Sequence, residues 1–152
     1  MKQHSHGFAT IAAVMMVLLE GTGQTSYGQE VPLEKDPSPI ACRQVFDDVE
    51  NGLSTGNVGE FSHRFASQVA LSLKGGESGT FSGNQAYYIL TDYLKSQRFG
   101  VFEFSTIIDS TSSPYGTGTA ELVLQGSKES VQVYVGLMLS GKDYKIAQLT
   151  IY

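Results

Sequence analysis

Five kinds of side chain in this sequence could carry chemistry. They are one histidine, one cysteine, a run of three carboxylates, isolated acids in strand-like segments, and a set of tyrosines. Of the three histidines, His4 and His6 lie in the first ten residues, which leaves His63 for the body of the chain. One imidazole makes no metal cluster, and no neighbouring Cys or second His supports it. His63 is therefore a weak general-base candidate on a short helix beside Phe61 and Phe65. Cys42 cannot form an internal disulfide because it is the single cysteine. It falls on an apolar stripe, where a thiol lacks the exposure and the partner base a nucleophile needs. Asp47, Asp48 and Glu50 could pair for acid–base work or hold a cation, yet their spacing puts them opposite that stripe, on a solvated helix face. No glycine pattern of a phosphate-binding loop and no Gly-x-Ser-x-Gly elbow occurs, so nothing calls for a nucleotide cofactor or a metal. Tyr87, Tyr88, Tyr93, Tyr134 and Tyr144 are numerous enough to line a cavity, though their spacing suits core and boundary positions.

The elements that would position these groups follow from periodicity. Residues 1–28 have the three parts of a secretory signal: Lys2, an uncharged apolar run from Phe8 to Leu19, and small residues before cleavage after Gly28 (or Gly23). The apolar run is about 12 residues, against the roughly 20 that spanning a bilayer requires. Residues 29–37 read as a linker punctuated by Pro32 and Pro37, and residues 38–152 as one domain. Its roughly 115 residues can sustain a core without disulfides. The net charge is -5. Lys2 and Glu20 cancel, so cleavage leaves that charge unchanged. With no basic stripe, nucleic acid and anionic membrane are not expected partners. The localisation expected is periplasmic or extracellular.

Ser38-Pro39 opens a helix whose apolar face is Cys42, Val45, Phe46, Val49 and Leu53, closed by Gly56. Asn57 and Glu60 form a capping-box pattern for a short second helix with Val58, Phe61 and Phe65 on one face. Val69 to Leu73 alternates as a strand, and Lys74 to Gly79 reads as a turn. Ser82 and Gln85 cap a long helix with the stripe Ala86, Ile89, Leu90, Tyr93 and Leu94, ending near Arg98. Beyond Gly100 the period drops to two. Val101 to Asp109, Gly116 to Gly126, Glu129 to Ser140 and Tyr144 to Tyr152 are predicted strands of an antiparallel meander.

Helices first and strands second is an α+β layout, with helices on one face of a curved sheet. Parity puts Phe102, Phe104, Ile108, Ala120, Leu122, Leu124 and Val131, Val133, Val135, Leu137 and Leu139 toward the helices, and Glu103 and Glu121 outside. Tyr144 and Ile146 have the opposite parity to Leu149 and Ile151, and a bulge near Ala147-Gln148 would reconcile them.

The element order, with Gly56-Asn57, Phe61 to Leu73, Ser82-x-x-Gln85-Ala86 and Tyr144-x-Ile146-x-Gln148-Leu149-x-Ile151, resembles the nuclear-transport-factor-2-like (cystatin-like) superfamily. More narrowly it is similar to domain of unknown function 4783, a family of short exported bacterial proteins. The resemblance implies a cone of helices on a curved antiparallel sheet and brings no catalytic motif. Related enzymes isomerise or dehydrate apolar substrates in the cone, which takes an acid/base and an oxyanion donor. Here only Glu103 or His63 could serve as base. The reading favoured is a non-catalytic module for a small apolar ligand or a protein partner, with Tyr88, Tyr93, Phe104 and Tyr134 as ligand-contact candidates. The alternatives are an isomerase- or dehydratase-type enzyme, and a homodimer joined through the outer sheet face at Tyr134 and Met138.

Overall fold

A computed structural model of the chain describes residues 38–110, 112–124 and 126–152. The expected signal and linker lie outside the described residues. Helix α1 spans Pro39–Thr55, with the Ser38 side chain accepting from the Ile40 N–H and Pro39 in the first turn. Gly56 closes it at φ 69°, a left-handed conformation that a Cβ would strain. The whole stripe Cys42, Val45, Phe46, Val49 and Leu53 is buried, as its 3.6-residue spacing predicts.

The short second helix does not form. Two 3-10 turns, Val58–Glu60 and Ser62–Arg64, take its place, and Phe65 already belongs to a strand. Asn57 Oδ1 accepts from the Gly59 N–H, and Asn57 Nδ2 donates to Glu60 Oε1, both at 3.0 Å. Such local bonds compete with a helix, and a segment this short cannot offset the cost of nucleating one. His63 therefore sits in a tight turn.

Strands β1 (Phe65–Leu73) and β2 (Ser78–Ser82) form a hairpin, and β2 occupies residues expected to be turn and cap. Helix α2 (Gly83–Ser96) then starts on the expected capping box: Ser82 Oγ accepts from the Gln85 N–H, and Gln85 Oε1 accepts from the Ser82 N–H. Five strands follow: β3 (Arg98–Phe99), β4 (Phe104–Ile108), β5 (Tyr115–Leu124), β6 (Ser127–Ser140) and β7 (Asp143–Ile151). The sheet runs β2-β1-β7-β6-β5-β3, with β4 also paired to β5. Strands β4 to β7 form the expected antiparallel meander, and β1 joins its β7 edge in parallel, which makes the whole sheet mixed. Tight loops force antiparallel neighbours, but β1 and β7 are joined only through α2 and the rest of the chain, which frees their relative direction.

The strand expected over residues 101–109 begins only at Phe104, because α1 holds the residues before it. Ser54 Oγ accepts from the Phe102 N–H at 2.8 Å and donates to the Phe102 carbonyl, while Glu50 Oε1 accepts from the Phe104 N–H at 2.7 Å. These bonds replace ladder bonds and turn Phe102 into the core. In β7 the register passes from Gly136↔Gln148 to Leu137↔Ile146, leaving Ala147 as the extra residue of a bulge. Tyr144, Ile146, Leu149 and Ile151 consequently share the buried face. Leu139 departs from parity: near the end of β6, it is exposed.

Phe46, Phe61, Phe102, Leu53, Leu90 and Leu122 are fully buried between helices and sheet. Among the described residues no carboxylate, histidine, lysine or arginine is buried. Between helices and sheet the buried residues form one hydrophobic cluster.

Candidate functional site

A concavity does exist, but it opens beside α2 and not within the cone. It is a cleft of about 440 Å³ between the β1–β2 turn and the C-terminal half of α2. Leu73, Gly75, Gly76 and Glu77 form one wall. Ile89, Asp92, Tyr93, Ser96 and Gln97 form the other.

The turn is closed by the Leu73 N–H donating to the Glu77 carbonyl and the Gly76 N–H donating to the Leu73 carbonyl. Gly75 has φ 71°, which glycine takes without strain. At Gly76 a Cβ would stand 3.0 Å from Tyr93 Cδ2 and 3.2 Å from Leu73 Cβ, so a bare backbone lets helix and turn meet. The Tyr93 hydroxyl donates to the Lys74 carbonyl at 3.0 Å. Burial pushes the Tyr93 phenol up to about 12, so it stays neutral. Lys74 Nζ is held by Glu129 Oε2 at 2.8 Å. Ser96 Oγ donates back to the Tyr93 carbonyl. Gln97 Oε1 is shielded from solvent and has no hydrogen-bond partner, an uncommon state for a polar atom.

The other candidates are scattered. His63 is exposed, its Nε2 3.6 Å from Asp48 Oδ2, and Arg64 Nε donates to that same oxygen at 2.9 Å. Lys145 Nζ donates to the His63 carbonyl. Asp47 is exposed and Glu50 is spent on Phe104, so the acidic run makes no cation site. Among the described residues no group of three or more His, Cys, Asp or Glu could hold a metal. Cys42 is fully buried, and its thiol is pushed up to about 11 by that burial first and by Asp109 second, with Arg43 opposing. Such a thiol is a packing group. Glu103 is exposed just before β4, so neither of the two bases named for an isomerase- or dehydratase-type reaction stands in an apolar hollow.

Of the four ligand-contact candidates, Tyr93 alone lines the cleft. Tyr88 is exposed, edge-on to Tyr87. Phe104 packs against Phe46 and Phe102. Tyr134 stacks on Tyr115 at 5.7 Å on the outer sheet face. The sequence places Gly75, Gly76 and Glu77 in a turn but marks neither them nor Asp92 and Gln97 as site residues. The signal that could have found them is the flank Ile89, Asp92, Tyr93 and Ser96, one helical face next to the buried stripe.

The sequence model of domain of unknown function 4783 matches residues 46–152. The chain belongs to that family. No functionally curated protein matches this member. Its fold is shared with a DUF4783 family protein from Bacteroides ovatus, at 19% identity, 68% of this chain, 90% of that chain and a TM-score of 0.58. A DUF4783 family protein from Bacteroides uniformis aligns at 16% identity, 69% and 93% coverage and a TM-score of 0.61. An NTF2-like protein from Anabaena variabilis gives 18% identity, 78% and 90% coverage and 0.61. The DUF4783 domain is thus a two-helix α+β member of the nuclear-transport-factor-2-like fold, and among its described residues no helix is long and apolar enough to cross a membrane.

Proposed function

We propose that this DUF4783 domain is an exported, non-catalytic binding module whose ligand occupies the cleft between the β1–β2 turn and α2. The observation that carries the reading is the contrast between an apolar interior, with no buried carboxylate, histidine, lysine or arginine among the described residues, and an adjoining concavity floored by Leu73, Ile89 and Tyr93. Pockets for small molecules combine an apolar lining with a few polar groups, and a volume near 440 Å³ lies within their usual range. The apolar part of a ligand would rest on that floor. Amide chemical-shift mapping with a set of neutral, cationic and anionic aromatic fragments tests the reading. Shifts gathered at residues 73–77 and 89–97 are expected. Shifts nowhere, or only elsewhere on the molecule, overturn it.

A second reading, a homodimer through the outer sheet face, rests on the Tyr115–Tyr134 stack beside exposed Met138. Half-buried tyrosines beside an exposed methionine suit a protein partner. Light scattering that finds a monomer at high concentration removes it.

A further inference from the structure

The polar atoms around the cleft are unbalanced in one direction. The Tyr93 and Ser96 hydroxyls both spend their hydrogens on backbone carbonyls, at 3.0 and 2.9 Å. The lining contains no lysine, arginine or histidine. The nearby Lys74 ammonium is taken by Glu129, and Lys95 makes only a 4.0 Å contact with Asp92 between two exposed side chains. The charged groups that the lining side chains offer are acceptors, the exposed Glu77 and Asp92 carboxylates.

Building on the cleft reading above, we propose that the ligand is an organic cation: an apolar body carrying an ammonium or guanidinium group. The body covers Leu73, Ile89 and Tyr93, and the cation meets Glu77 and Asp92 at the rim. Carboxylates at the mouth repel anions, and a chain of net charge -5 draws cations toward it. A carboxylic or phosphorylated ligand would find neither a cation nor a free hydroxyl donor in the lining.

The test uses three compounds on one ring: tryptamine, its neutral alcohol tryptophol, and indole-3-acetate. Each is titrated into isotope-labelled protein and followed at the Gly75, Gly76 and Gln97 amides. Tryptamine is expected to bind about tenfold more tightly than tryptophol, the difference one charge-assisted hydrogen bond supplies, with indole-3-acetate weakest. The double variant Glu77→Gln/Asp92→Asn should bring tryptamine down to tryptophol, and added salt should do part of the same. Both side chains are exposed, so the variant's thermal midpoint checks that it stays folded. Tryptophol binding as well as tryptamine overturns the cation preference and leaves the cleft reading intact. The same holds if none of the three binds while other fragments map to the cleft. A fragment set that maps nowhere sinks both.

Discussion

The Tyr93 hydroxyl donates to the Lys74 carbonyl at 3.0 Å, which ties together the two walls of the cleft, one from α2 and one from the β1–β2 turn. Tyr93 closes the apolar stripe of α2 and is only 6% exposed. Lys74 begins the turn that opens the cleft, and its ammonium is tied to Glu129 on β6. The mouth of the cleft is thereby pinned to both the helix and the sheet.

Tyr93→Phe keeps the ring and removes that single bond. Stability should fall by about 1 kcal/mol, the net worth of one hydrogen bond, read from the midpoint of urea unfolding. Amide exchange at Gly75 and Gly76 should accelerate more than exchange in β6, because the loss is local to the turn. An unchanged midpoint together with unchanged turn exchange would show that the bond does not hold the wall.

Gly118 faces the break between β3 and β4. A Cβ there would stand 2.5 Å from the Glu103 carbonyl oxygen and 2.7 Å from Phe102 Cε2. Backbone cannot step aside as a flexible side chain can, so Gly118→Ala should cost about 1–3 kcal/mol in chemical denaturation. Gly126→Ala offers a contrast, because nothing lies within 4 Å of its Cβ and only its φ of 85° opposes the change. A Gly118→Ala protein as stable as wild type would mean that the Phe102 segment is free to move, contrary to its clasp by Ser54 and Glu50.

What could be read from the sequence were signals confined to one element. The α1 stripe, the Ser82–Gln85 box and the Ala147 bulge each need only a few neighbouring residues to be seen. β2 was illegible because Ser78–Ser82 carries one large apolar residue, Phe81, and gains its strand character by pairing with β1. The parallel β1–β7 contact joins segments at opposite ends of the domain, which no local pattern encodes. The interruption before Phe104 depends on Ser54 and Glu50, roughly fifty residues earlier. The cleft shares that character. Tyr93 could be singled out by spacing, but its neighbours Glu77 and Gln97 become a site only once the turn folds against the helix.

Alkaline pH should expose the two buried acids in sequence. The interior accepts the Cys42 thiol and the Tyr93 phenol only as neutral groups, and burial lifts them from 9.0 to about 11 and from 10.0 to about 12. Above pH 9 the unfolded chain sheds the thiol proton while the folded chain keeps it, so the equilibrium tilts toward unfolding. The thiol's share of stability is therefore complete below pH 9 and gone above about 11, and the phenol's share declines between 10 and about 12. Cys42→Ala lowers the whole curve through the cavity it leaves. It should also delay the alkaline decline, moving its onset from near pH 9 toward pH 10, where Tyr93 takes over. Urea midpoints measured from pH 7 to 12 for both proteins separate the two effects. Curves that stay parallel through pH 9 to 11 would mean that the thiol is not buried as a neutral group.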